Sequence, residues 1–188
     1  MSLLNEILAF NQSFVGSKEY EAYRTDRFPD KRLVIVTCMD TRLTELLPRA
    51  MNVRNGDAKL IKVAGAVVAA PFGSVMRSIL VAVYELGATE IAIVGHHGCG
   101  MMGLNSRQIL DKAREAGISG DVLSTLAHSG IDLHGWLRGF ESVEYGVRQS
   151  VEMVRKHPLL PPSTAVHGMV MSPETGKLDL LVDGYPHV

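Results

Sequence analysis

Val34-Ile35-Val36-Thr37-Cys38-Met39-Asp40-Thr41-Arg42 is an apolar run that ends in a thiol, a carboxylate and a guanidinium. It is rich in β-branched residues and too short for a typical helix, which predicts a strand buried on both faces of a sheet. In a parallel α/β sheet, ligands bind in the crevice beyond the carboxyl ends of the strands. Cys38, Asp40 and Arg42 therefore leave the strand where a site is expected. A second run, Ile91-Ala92-Ile93-Val94, repeats the arrangement and passes into Gly95-His96-His97-Gly98-Cys99-Gly100. If the two strands lie near each other in one sheet, a thiol from the first meets an imidazole and a thiol from the second. That donor set suits a metal.

Working outward, Leu4, Ile7, Leu8 and Phe14 recur at helical spacing and predict an amphipathic N-terminal helix over about 2–15, whose apolar stripe must pack on the core or on a subunit partner. Leu43 to Met51 reads as a short helix that Pro48 keeps brief or kinked, and Lys59 to Ala64 as a strand after the Asn55-Gly56-Asp57 turn. Ser74 to Leu86 predicts a helix, closed by Gly87, with almost no polar face and so covered on both sides. Helices follow over Asn105 to Ala116 and, from the valines at 143, 147, 151 and 154, up to Pro158. Asp121 to Phe140 reads as helical in part, with several glycines and no clear period. Thr164 to Met171 and Leu178 to Val182 form a hairpin across Ser172-Pro173-Glu174-Thr175-Gly176. The expected fold is α/β: a mainly parallel central sheet of about four parallel strands plus one antiparallel C-terminal strand, flanked by helices.

At 188 residues the chain has room for one domain with a sizeable core, and the whole of 1–188 is read as one. A formal net charge of −1 supplies no electrostatic footprint for nucleic acid, leaving a small molecule or another copy of the chain as the expected partner. No apolar stretch is long enough for a membrane span, and the N-terminus lacks the regions of a signal peptide, so a cytoplasmic location is expected. In a reducing compartment the two cysteines point to metal binding or catalysis before a disulfide.

Zinc takes thiolate and imidazole ligands tetrahedrally, and a catalytic zinc keeps three protein ligands and one exchangeable position. Cys38, His96 and Cys99 would supply the three, with Gly95, Gly98 and Gly100 permitting the sharp backbone path between the last two. His97 competes with His96, but its spacing to Cys99 is awkward. Two thiolates would neutralise the metal's charge, so its bound water needs help from its surroundings. Asp40 would accept a hydrogen bond there while Arg42 keeps it ionised, or Asp40 would itself take the fourth metal position. The bland alternatives are a pair of buried cysteines and an ordinary loop ion pair. His167 reads first as a satisfied buried histidine, His128, His134 and His157 as surface groups, and Met101 and Met102 as filler in a pocket wall.

Cys-x-Asp-x-Arg after one strand and His-x-x-Cys after another resemble the β-class carbonic anhydrases, in their compact, non-plant-type branch. The similarity runs from about Phe28 to the C-terminal hairpin and includes the Ala64-Gly65 loop and the His167-Gly168 strand. It implies one zinc ion per chain, held by Cys38, His96 and Cys99, with Asp40 as partner of Arg42 or as fourth ligand. It also implies interconversion of carbon dioxide and bicarbonate through zinc-bound hydroxide, in a homodimer or dimer of dimers. Relatives on the same scaffold hydrolyse carbon disulfide or carbonyl sulfide, and a non-catalytic zinc-stabilised or bicarbonate-sensing protein is the reading from another class. The chain departs from the family at Val63 and Ala66, where members often carry asparagine, and Arg27 to Lys31 lacks the plant-type glutamine.

Overall fold

The computed structural model describes residues 2–185, so the ends of the expected domain over 1–188 lie outside the described residues. Helix α1 (Leu3–Gly16) starts at Ser2, whose side chain accepts the Asn5 N–H, and a short 3₁₀ turn (Glu19–Tyr23) follows it. The chain then alternates: β1 (Leu33–Cys38), α2 (Leu43–Ala50), β2 (Ala58–Val63), α3 (Ser74–Tyr84) and β3 (Glu90–His96). Three helices, α4 (Ser106–Glu115), α5 (Gly120–His128) and the single turn α6 (Leu133–Trp136), make an excursion before α7 (Val143–Arg155) and the hairpin of β4 (Ala165–Met171) and β5 (Leu178–Val182).

The five strands form one sheet in the order β2-β1-β3-β4-β5. Pairs β1–β2, β1–β3 and β3–β4 are parallel, and β4–β5 is antiparallel, as expected. From β1 the chain first winds to β2 on one side and then returns to β3 on the other, so the winding reverses between β1 and β3. That reversal is the point at which a doubly wound sheet opens a crevice. Thr37 pairs with Val94, which brings Cys38 level with the start of the Gly95–Gly100 loop.

Val34, Ile35, Val36, Ile91, Ile93 and Val94 are buried, as central strands covered on both faces require. Helix α7 covers one face through Val143, Val147, Val151 and Val154. Its fit on β3 depends on Gly95, where a Cβ would lie 2.7 Å from Val147 Cγ2 and 2.8 Å from Val143 Cγ1.

Helix α3 and His157 differ from the sequence reading, and so does His167, which is buried but has Nε2 without a hydrogen-bond partner. Helix α3 ends at Tyr84 and buries Met76, Ile79 and Ala82, while Val81 and Tyr84 are exposed. Within one chain it is covered on one face only. His157 is buried, not a surface group: after the turn at Pro158 its Nδ1 accepts the Leu159 N–H at 3.2 Å, and its ring packs against Phe72. Solvent contact is lost because the chain folds back over the ring, which a polar stretch at a helix end does not announce.

Candidate metal centre

Strands β1 and β3 deliver their last residues to the same point. Ligand atoms of Cys38, His96 and Cys99 all lie within 4.8 Å of one another, and all three residues are buried. The two sulfurs are 3.9 Å apart and both cysteines are free. Tetrahedral zinc with bonds of about 2.3 Å would hold two sulfurs about 3.8 Å apart, so the sulfur spacing fits a zinc centre.

The imidazole is poised for the same role. His96 Nδ1 lies 2.9 Å from the His97 carbonyl oxygen, so it carries the proton and donates it there. That leaves Nε2 with its lone pair facing the sulfurs, buried and without a hydrogen-bond partner. A buried polar nitrogen is costly to leave unpaired, and a cation is the partner this geometry suits. His97 itself is exposed, and its N–H donates to the Met171 carbonyl at 3.0 Å, tying the loop to the end of β4. Burial pushes the Cys99 thiol up from its ordinary value, opposed by a hydrogen bond from the Met101 N–H and reinforced by Cys38. Two adjacent thiols held this way need positive charge before both can ionise.

Beside the cluster, Arg42 clamps Asp40. Its Nε donates to Oδ1 at 3.0 Å, its Nη2 to Oδ2 at 2.9 Å, and its backbone N–H to Oδ1 at 2.9 Å. Those side-chain bonds, followed by the backbone one, hold the Asp40 carboxyl well below the usual carboxylate range. Arg42 Nη2 also donates to the Gly98 carbonyl at 3.1 Å, which joins the β1 loop to the β3 loop. Asp40 Oδ2 is 3.7 Å from His96 Nε2, so the carboxylate stands next to the metal position while engaged with arginine. The sequence did not mark the carbonyls of His97 and Gly98 as parts of the site. Backbone groups carry no residue-type signal, and only the loop's shape reveals them.

A pocket of about 550 Å³ opens over the sulfurs, walled by Met39, Asp40, Arg42, Ala64, Gly65 and Met101 among others. In the Ala64–Ala66 turn both Gly65 (φ +67°) and Ala66 (φ +58°) are left-handed. For alanine that conformation costs about 1–2 kcal/mol and persists only where the surroundings dictate it. Ser150 on α7, buried, accepts the Val68 N–H at 3.1 Å and helps to fix this wall.

Comparison with known proteins agrees with this geometry. A Bacillus subtilis protein named "Putative carbonic anhydrase YvdA" is 60% identical over 185 residues, covering 98% of this chain and 94% of that one. A carbon disulfide hydrolase of Acidithiobacillus thiooxidans is 28% identical over 95% of this chain and 90% of its own length. The crystal structure of β-carbonic anhydrase isoform I from Trichomonas vaginalis superposes with a TM-score of 0.90 at 33% identity, covering 98% of this chain and 100% of that one. The family model described as carbonic anhydrase matches residues 33–178, from the first residue of β1 to the first of β5. Spanning β1 to β4 and both loops of the candidate metal centre, that match, with the Trichomonas vaginalis structure, places the chain in the carbonic anhydrase family, in its β class.

Proposed function

We propose that the chain is a zinc enzyme interconverting carbon dioxide and bicarbonate, with Cys38, His96 and Cys99 as ligands of one zinc ion. The observation that carries the reading is the orphaned His96 Nε2 facing two thiols at zinc-like spacing, beside a carboxylate clamped by Arg42. When bound, zinc supplies a Lewis acid that makes water a usable nucleophile near neutral pH, behaviour for which carbonic anhydrase is the usual example.

The chain's own residues do the rest. Held ionised by Arg42, Asp40 is a poor base but a strong hydrogen-bond acceptor, so Oδ2 orients the attacking group and does not carry its proton away. The excess proton leaves through the open side of the pocket. Met39, Ala64 and Met101 offer an uncharged substrate an apolar surface, and the anionic product gains nothing there, which favours its release. Turned to Arg42, as it is here, Asp40 would leave a bound metal open to an exchangeable ligand; turned the other way, the same carboxylate could hold the metal itself.

A second reading is hydrolysis of carbon disulfide, which the Acidithiobacillus thiooxidans relative's name carries. We further place the protein in the cytoplasm as a homodimer or dimer of dimers of single-domain chains; no helix among the described residues is long and apolar enough to cross a membrane. Stopped-flow hydration of carbon dioxide by the zinc-loaded protein, run beside carbon disulfide, tests the activity. Elemental analysis should find about one zinc per chain, lost in Cys99→Ser. Full zinc occupancy in that variant, or turnover of carbon disulfide alone, would overturn the proposal.

A further inference from the structure

One wall of the pocket belongs neither to the proposed ligands nor to the Asp40–Arg42 pair. Met101 supplies it, and the structure holds that residue on every side. Its carbonyl accepts the Phe140 N–H at 3.2 Å and the Leu104 N–H at 3.4 Å, and the N–H of the next residue, Met102, donates to the Cys99 carbonyl at 3.0 Å. Gly139 lies so close that a Cβ there would collide with the Met101 carbonyl oxygen. On the other side the methionine stem rests on Gly65, where a Cβ would come within 3.0 Å of Met101 Cγ and 2.7 Å of Phe140 Cε1.

Methionine is ordinarily the most adaptable of core side chains, able to move aside for a larger guest. Here its backbone carbonyl is held by two N–H donors, and its stem lies against a glycine in the left-handed region where no other residue leaves it room. We propose that Met101 is the specificity-determining wall of the pocket, setting how large a linear triatomic substrate fits beside the metal position. It favours carbon dioxide over its longer and bulkier disulfur analogue. The inference rests on the reading of this pocket as the substrate site. In apolar pockets one added or missing methylene changes discrimination by about 10–200-fold, so truncating this side chain should be plainly visible.

The test uses protein carrying cobalt in place of zinc, titrated with two linear monoanions, cyanate and thiocyanate, and read by the visible spectrum of the metal. Met101→Ala should raise the affinity for thiocyanate relative to cyanate by about tenfold or more at unchanged metal content. Met101→Val should fall between, and Met101→Leu, which nearly conserves volume, should stay within about threefold of the parent. With the zinc protein, the ratio of kcat/KM for carbon disulfide to that for carbon dioxide should rise in the same order. An unchanged anion ratio in both the alanine and valine variants would overturn the proposal, as would a leucine variant as altered as the alanine one. Because the anion ratio needs no turnover, a parent protein inactive on both substrates would sink the proposed function while the titration still judged Met101.

Discussion

Arg42 has two jobs, and truncating its side chain removes both. Its three donations keep Asp40 ionised, and its fourth, to the Gly98 carbonyl, braces the loop that carries His96 and Cys99. Arg42→Ala should retain zinc, since no proposed ligand is touched, yet lose activity as the carboxylate, left with only the backbone N–H of residue 42, turns toward His96 Nε2, 3.7 Å away. Asp40→Asn should also keep zinc and lower turnover by about 10²–10³-fold, the range for losing one positioned hydrogen-bonding group at the reacting centre. X-ray absorption at the zinc edge would show two sulfurs unchanged and the light-atom shell altered in Arg42→Ala; wild-type turnover in both variants would return the pair to an ordinary loop ion pair. The stability difference between parent and Arg42→Ala has a definite pH sign. Because the folded carboxyl titrates below its ordinary 3.8, the stabilisation it contributes is complete above that value. It is lost as pH falls through the lowered one, so the gap should close on acidification in denaturant titrations. At this scale the sequence was most legible: the types and spacing of Cys38, Asp40, Arg42, His96 and Cys99 pointed to metal chemistry once two strand ends were placed side by side. Met101 was read there as filler, because its role comes from what Gly65, Gly139 and Phe140 deny it.

The elements that position the site meet through missing side chains. Helix α7 approaches β3 closely enough that Gly95 has no room for a methyl group, with Val143 and Val147 both inside 3 Å of the place it would occupy. Gly95 also directly precedes His96, so displacing the helix there should displace the proposed ligand. Gly95→Ala should cost about 1–3 kcal/mol as overpacking, seen as a lowered thermal midpoint, and should weaken zinc retention under a competing chelator. An unchanged midpoint would show that α7 can slide without cost. The helices and strands with a regular apolar period, α1, α7, β1, β3 and β4, were legible within a residue or two of their observed bounds. The stretch from Asp121 to Phe140 was legible only as helical in part, without bounds. It is cut into a nine-residue helix, a single turn and loops whose polar groups are satisfied locally, as where Asp132 accepts the Gly135 N–H at 2.9 Å and Ser106 meets His134 Nδ1 at 2.9 Å. Short pieces stabilised by caps and cross-links carry no period to detect.

The whole molecule leaves one element unexplained within a single chain. No residue of α1 is buried, although Leu3 is 72%, Leu4 63% and Phe10 70% exposed and Glu6 is the helix's sole charge. Small proteins seldom leave a contiguous apolar surface of this kind in water. Covering a fully exposed leucine, isoleucine or phenylalanine is worth about 1.5–3 kcal/mol, and these are partly covered already, so five such side chains on α1 give several kcal/mol. Association costs on the order of 4–15 kcal/mol, which α1 alone barely meets. A stable assembly therefore needs further apolar surface, and the exposed Phe72, Val81 and Tyr84 beside the open face of α3 supply it. We expect a homodimer at micromolar concentration, with α1 contributing to the contact but not making all of it. Light scattering should return at least twice the 20.5 kDa chain mass. Removing residues 2–16 should raise the dimer dissociation constant by tenfold or more, about 1.4 kcal/mol, while leaving zinc content intact. A full-length chain that scatters as a single copy would mean that α1 folds back onto its own core in solution. An unchanged constant in the shortened chain would instead place the whole contact on α3 and leave the N-terminal stripe for some other surface.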